Sequence, residues 1–296
     1  MIPIPRRTFF KQTGAAISLA AFAPGLGAAE PTPSGKKRPI KKAMMYGTIG
    51  LKGSVLEKFK ALKEAGFDGV EPNSHMDQDE VLRALEQAGL KAASVCCSTH
   101  WEKPLSDPDP TVRAEGLAGL KIALRDAKHY GASSVLLVPG VVKNKVSYED
   151  CWQRSIAEIR KALPVAEELG VKIAIENVWN NFITKPEQAV AFLDQINSPS
   201  VGWHFDIGNV IRFSAPEEWI PVLGKRILKL HVKEFSKAKG FSVDFFQGDN
   251  NWPAIMEALD RVGYAGWGIS EQPGSQTKDP ASLKEFAHRM DRIFAS

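Results

Sequence analysis

Hydrophobic and polar positions along this chain alternate between two rhythms. Short apolar runs recur at Ala43–Tyr46, Gly69–Glu71, Ala92–Cys97, Ser134–Val138, Lys172–Glu176, Val201–Asp206, Ile227–Val232 and Gly268–Glu271. Bounded runs of this length predict buried strands. Between them, apolar residues return every three or four positions. That spacing predicts amphipathic helices over Val55–Ala65, Glu80–Ala88, Val112–Tyr130, Tyr148–Leu169, Pro186–Ile196, Trp252–Val262 and Ser282–Phe294. Pro164 is expected to kink the fourth of these. Several helices run into a glycine just ahead of the next strand, as in "QAGLKAAS" and "ELGVKIAI", which marks a helix stop.

Eight strands alternating with about eight helices over roughly 250 residues predict an α/β fold, a (β/α)8 TIM barrel in a single domain. A doubly wound open sheet would show a glycine-rich phosphate turn after its first strand. Here that strand runs into "YGTIGLKGS", which lacks the spacing.

Composition narrows the picture. The chain has 296 residues, 44% hydrophobic and 24% charged, ample for a large core. The net charge of +4 is modest and gathers near the start, without a basic stripe interleaved with aromatics, so nucleic acid is not an expected partner. Cys96, Cys97 and Cys151 have no repeated spacing and read as core residues rather than a disulfide framework or zinc ribbon.

The N-terminus has its own logic. "PRRTFFKQTG" puts two arginines ahead of a mild apolar stretch, Ala15 to Ala23, and small residues follow at Gly27 to Ala29. That layout resembles a twin-arginine export signal. The expected organisation is a signal over 1–29, a linker over 30–42 and the barrel over 43–296, with the mature protein periplasmic or otherwise exported. The apolar stretch is too short for a stable membrane span.

In a barrel the strand C-termini converge on one rim, where the site is built. Six of the eight predicted strands deliver a polar residue there: Glu71, His100 with Trp101, Glu176 with Asn177, Asp206, His231 with Lys233, and Glu271. Gathered carboxylates repel one another unless a cation sits among them. Three carboxylates and an imidazole suit Mn²⁺, Mg²⁺ or Co²⁺, whereas Zn²⁺ more often takes additional His or Cys. The other reading of each acid, taken alone, is a helix cap or a partner for Lys or Arg.

The succession "GFDGVEP", "IAIENVWNNF", "FDIGNV", "LHVKEFS" and "ISEQP" resembles the xylose isomerase-like barrel superfamily, in its sugar phosphate isomerase/epimerase branch. The resemblance implies one divalent ion, commonly Mn²⁺, held by Glu176, Asp206, His231 and Glu271. It further implies that Glu176 and Glu271 flank the sugar and exchange a proton with it through a metal-stabilised enediolate. Barrels of this family often associate, so a homo-oligomer is among the implied partners, with no interface fixed. Ketose 3-epimerases acting on free sugars often carry a second His where this chain has Asn209, and their basic sugar contact would fall on Lys237 or be missing.

Around the ligands, Lys233 is expected to bind a substrate oxygen or to pair with Glu176 or Glu71. Glu71 is expected to touch substrate or to orient a ligand. His100, Trp101 and Trp179 are candidates for stacking and hydrogen bonding to a sugar ring, with Asn180, Asn181 and Asn209 as further polar contacts, and His204 reads as a satisfied core histidine. The expected function is a metal-dependent isomerase or epimerase of a small keto-sugar or sugar derivative. The alternative is a metal-dependent lyase, dehydratase or hydrolase of a 3-keto-glycoside or keto-polyol, and a non-catalytic sugar-binding protein comes third. Endonuclease IV shares the barrel but needs three zinc ions and more histidines than the six present here.

Overall fold

The predicted alternation becomes a ring of parallel strands wrapped in helices. It is seen in a computed structural model that describes residues 35–143 and 145–296. The expected export signal over 1–29 and the start of the expected linker lie outside the described residues. Nine strand segments occur among the described residues: β1 Ile40–Met45, β2 Gly69–Glu71, β3 Lys91–Ala92, β4 Val95–Cys96, β5 Ser134–Leu137, β6 Lys172–Glu176, β7 Val201–Asp206, β8 Ile227–Val232 and β9 Gly266–Ser270. The helices are α1 Val55–Glu64, α2 Gln78–Ala88, α3 Pro110–Tyr130, α4 Tyr148–Leu169, α5 Pro186–Ile196, α6 Ile207–Val210, α7 Pro216–Leu223, α8 Trp252–Val262 and α9 Pro280–Ala295.

The ring has eight places. The predicted third strand is split into β3 and β4, which interrupts regular pairing at Ala93–Ser94. Cys96 nevertheless donates its N–H to Pro72 O (2.9 Å) and accepts from Ser74 N (2.8 Å), closing the ring between the second and third places. β1 pairs with both β2 and β9, and every pairing is parallel. Strands buried on both faces read as near-continuous apolar runs, which is why they stood out in the sequence.

One expectation needs correction at the N-terminal end. The first strand begins at Ile40, inside the expected linker over 30–42. Its Lys42 hid it: the side chain is buried but donates to Asp291 Oδ1 at 2.7 Å and Ala287 O at 3.1 Å on α9, so a charge sits tolerably against the core. Just ahead of the strand, Arg38 binds Asp260 of α8 through Nε and Nη2. Helix α4 runs unbroken through Pro164 and stops at Gly170, whose φ of 66° is the left-handed conformation a glycine reaches without strain. The short α6 and α7 had no clear periodic signal, and α7 carries two prolines. Among the described residues, no helix is long and apolar enough to cross a membrane.

The main core lies between strands and helices, with Phe59, Phe192, Trp203, Trp219 and Trp252 fully buried in it. The barrel interior is different. Toward the C-terminal rim it fills with buried acids, imidazoles and Lys233, with Lys229 deeper.

Candidate metal centre

Pairing brings the ligand-bearing strand ends level. Glu176 on β6 pairs with His204 on β7, and Asp206 on β7 pairs with His231 on β8. Glu271, one residue past β9, donates its N–H to Val232 O. As a result, ligand atoms of Glu176, Asp206, His231 and Glu271 all lie within 4.8 Å of one another. These are the four residues singled out in the sequence.

His231 is the centre of the cluster and is fully buried. Its Nδ1 lies 2.8 Å from Glu176 Oε1, 3.4 Å from Glu271 Oε2 and 3.8 Å from Asp206 Oδ2. Its Nε2 donates to Glu71 Oε2 at 3.0 Å. Glu71, with no exposed surface, therefore orients the imidazole from behind and does not reach substrate, a correction to half of its expected role. This carboxylate fixes the ring so that Nδ1 is the nitrogen left to a metal.

Burial penalises charge throughout, and the neighbours decide who keeps it. Burial opposes a proton on His231, but the carboxylates of Glu71, Glu176 and Glu271 outweigh it and hold the imidazole pKa well above its usual value. Burial pushes Asp206 well above the carboxylate range against the pull of Lys233, and it also raises Glu176. Glu271 goes the other way: Lys233 and His231 overcome burial and hold it well below its usual value.

Lys233 is the basic partner that the neighbouring sequence did not reveal. Its Nζ donates to Glu271 Oε2 at 2.5 Å, and to Asp206 Oδ2 and Asn209 Oδ1 at 3.3 Å each. It pairs with neither Glu176 nor Glu71. A second buried ammonium, Lys229, sits deeper and donates to Ser133 Oγ at 2.9 Å; burial lowers its pKa to about 8. With His231 neutral as a ligand, the buried carboxylates of Glu71, Glu176 and Asp206 and the partly exposed one of Glu271 thus face two ammoniums. The deficit of two charges is what one divalent ion supplies, and burying it uncompensated would cost several kcal/mol. The donor set and the charge deficit both fit one such ion, held by Glu176, Asp206, His231 and Glu271.

A pH dependence follows. An ion entering this cluster displaces protons from His231, Asp206 and Glu176, whose pKa values are all raised, whereas Glu271 is already ionised. Affinity for Mn²⁺ should therefore rise with pH, with protons released on binding. Isothermal titration in buffers of different ionisation enthalpy reads both quantities. A flat profile with no proton release contradicts the assignment.

Asn177, absent from the expected site, clamps Asp206 in place. Its Nδ2 donates to Asp206 O (2.8 Å), and its Oδ1 accepts from Asp206 N (3.1 Å) and Trp203 Nε1 (2.9 Å). Its carbonyl accepts from Asn209 Nδ2 at 3.0 Å. Asp206 Oδ1 is spent on the N–H of Asn209 (2.7 Å), capping α6 and leaving Oδ2 for the cluster. The cap reading of Asp206 is thus realised, and its second oxygen stays turned to the cluster. Next to it, Gly208 packs so closely that an added Cβ would lie 2.7 Å from Lys233 O. Asn177→Ala should weaken Mn²⁺ binding about 10–100-fold. It should also cost about 1–3 kcal/mol, because Asp206 N–H, Asp206 C=O and the Trp203 indole lose their partner. Titration calorimetry and thermal unfolding of the variant check both.

Above the cluster opens a cavity of about 210 Å³. Glu176, Glu271, Lys233, Asn209, His100, Trp101 and Trp179 line it. Phe241, Cys96, Met45, Leu136 and Val178 complete it, and none of these was anticipated. Trp101 is 51% exposed and Trp179 is 37% exposed; the Trp179 Nε1 donates to Asn209 O at 2.9 Å. Asn180 is spent inside the fold, donating to Gly140 O and accepting from Phe182 N, and Asn181 and Lys237 are exposed residues outside the lining. Phe241 is held by a loop that Glu234 buckles. That buried carboxylate accepts from Phe246 N, Asn250 N and Trp252 Nε1. His204 is not the satisfied core histidine expected. Both its nitrogens are enclosed without a partner, its ring meets His231 at 4.2 Å, and burial keeps it neutral. A larger hollow of about 460 Å³ around Asp244 and Arg289 contains no residue of the cluster, so size alone does not locate the chemistry.

Comparison with known proteins agrees with the fold. The L-ribulose-5-phosphate 3-epimerase UlaE of Escherichia coli (strain K12) is 24% identical over 254 residues, covering 81% of this chain and 89% of that protein. The D-psicose 3-epimerase of Clostridium cellulolyticum H10, crystallised with D-tagatose, superposes with a TM-score of 0.72 at 20% identity, covering 87% of this chain and 100% of that one. The 3-keto-D-glucoside 4-epimerase YcjR of E. coli superposes with a TM-score of 0.73 at 17% identity, covering 86% and 98%. The model of the xylose isomerase-like TIM barrel family matches residues 59–293, most of the chain, and this protein belongs to that family.

Proposed function

We propose that this protein is a divalent-metal-dependent isomerase or epimerase of a small keto-sugar or sugar derivative. The observation that carries the reading is the pair Glu176 and Glu271, which belong to the acid–imidazole cluster and also line the cavity above it. Relatives and structural neighbours named as 3- and 4-epimerases of sugars support it.

The ion, Mn²⁺ in this proposal, supplies Lewis-acid stabilisation of charge developing on the substrate's oxygens when bound. The protein supplies the proton transfers. Removing a proton from the carbon beside a ketone and returning it to the opposite face inverts that centre. The two glutamates have unlike surroundings: Lys233 and His231 keep Glu271 ionised, while burial raises Glu176. Both carboxylates are placed to relay that proton, one on each face of the sugar, with their roles exchanged in the reverse direction.

The cavity also selects. Its volume fits one small ring, with the exposed faces of Trp101 and Trp179 at the opening. Its one cationic lining residue, Lys233, is already engaged by Glu271 and Asp206, which favours an uncharged sugar over a phosphorylated one. An uncharged substrate also suits an exported, periplasmic protein carrying the twin-arginine pattern of residues 6–11. Incubation of the Mn²⁺-loaded protein with free keto-sugars and 3-keto-glycosides in D₂O, read by NMR, tests the proposal. Deuterium at one carbon with the skeleton intact is the expected result. Release of an aglycone or of water points instead to the lyase, hydrolase or dehydratase chemistry, and no exchange with any of them overturns the reading.

A further inference from the structure

His100 stands in the turn after β4, 6% exposed, with its ring on the cavity wall. Its Nδ1 accepts the backbone N–H of Val138, the residue after β5, at 3.2 Å. A ring nitrogen that accepts carries no proton, so the neutral ring must carry its proton on Nε2. That N–H has no acceptor among the described residues. Unlike the nitrogens of His204, it is not among the enclosed polar atoms, and its ring lines the cavity shared by Glu176 and Glu271. Trp101 meets the imidazole edge-on at a centroid distance of 5.5 Å and limits its rotation.

We propose that His100 is a fixed-tautomer neutral donor whose Nε2–H hydrogen-bonds to a keto or hydroxyl oxygen of the sugar. The proposal rests on the preceding reading that this cavity receives a keto-sugar. Burial lowers the His100 pKa to about 4, against the opposing charge of Glu271, so the ring stays uncharged where the enzyme works. Neutrality matters chemically. An imidazolium here would be drawn to Glu271 or Glu176. A free basic nitrogen would compete with them for the proton on carbon. With Nδ1 held by the main chain and Nε2 already protonated, His100 can polarise an oxygen but cannot take that proton. It also makes the wall selective. A substrate lacking an acceptor oxygen at that point leaves a buried donor unpaired, a costly mismatch.

Two variants separate the ring's two jobs. In His100→Asn the side-chain oxygen can still accept from Val138 N–H, but nothing reaches the Nε2 position. In His100→Gln the amide can reach that position as a donor, but Val138 loses its acceptor. For the Mn²⁺-loaded enzyme, His100→Asn should lower kcat/KM about 100-fold with Mn²⁺ affinity and thermal midpoint nearly unchanged. His100→Gln should recover about tenfold of that loss even if it is less stable. A purely structural role gives the opposite ranking and overturns the proposal. An independent reading is ¹⁵N NMR of the wild-type imidazole with and without a hexitol, which can bind but has no keto group to react. The expected signature is an Nε2–H tautomer whose proton shifts downfield with the hexitol while Nδ1 stays unprotonated. An Nδ1–H tautomer, a cationic ring or an unshifted proton overturns it. Should no sugar be turned over while the hexitol still produces the shift, the reaction reading fails and the donor assignment stands.

Discussion

Glu176→Gln and Glu271→Gln should each lower kcat by about 10³-fold or more. Glutamine preserves shape but can neither take nor return a proton at neutral pH, and its oxygen is a weaker ligand than a carboxylate. The two substitutions should differ in their side effects. Glu176→Gln removes the 2.8 Å partner of His231 Nδ1, so the metal-free variant should bind a proton at that ring less tightly. Glu271→Gln removes the carboxylate that holds Lys233 at 2.5 Å and leaves that ammonium to Asp206 and Asn209. Solvent deuterium exchange at the substrate carbon checks both assignments: each variant should lose exchange together with turnover. A loss of only a few-fold in either variant would remove that residue from the proton transfer.

Removal of the ion by a chelator should abolish turnover and lower the thermal midpoint. At an ion concentration about 100 times its Kd, binding stabilises the folded state by about 2.7 kcal/mol. For a barrel of this size that corresponds to a rise of about 5–10 °C in the midpoint. The physical cause is the charge deficit around His231, which only a partial set of protons offsets in the metal-free protein. Differential scanning calorimetry with Mn²⁺ and with EDTA reads the shift. It should shrink strongly in Asp206→Asn, which loses a ligand carboxylate. A midpoint indifferent to Mn²⁺ would mean that Lys229, Lys233 and the protons of the cluster already balance the acids.

How much of this was legible beforehand varied residue by residue. The bounds of β6, β7 and β8 agree with the apolar runs, which carry Glu176, Asp206 and His231 at or beside their ends. The same fact exposed Glu176, Asp206 and His231 as candidate ligands. What the sequence concealed was pairing at long range. Lys233 meets Glu271 across 38 residues and Asp206 across 27, so no local pattern marks the acids as partnered. Glu71 and His231 are 160 positions apart, and only the closed ring shows that one stands behind the other. Asn177 had a signal, its place beside a ligand glutamate, but its clamp on Asp206 depends on two strands lying level. Phe241 lies in a loop shaped by the buried Glu234, where neither period 2 nor period 3.6 applies. Lys41 and Lys42 disguised the start of the first strand as linker because a buried lysine is tolerable only where a partner such as Asp291 waits on another element.

The central claim is that one divalent ion completes the cluster at His231. Crystals grown with Mn²⁺ and measured at its absorption edge test it most directly. The account predicts a single anomalous peak bonded to Glu176, Asp206, Glu271 and His231 Nδ1, with His231 Nε2 still donating to Glu71 and Lys233 moved off at least one of its carboxylates. An empty cluster at millimolar Mn²⁺, with Lys233 still bridging Asp206 and Glu271, would contradict it.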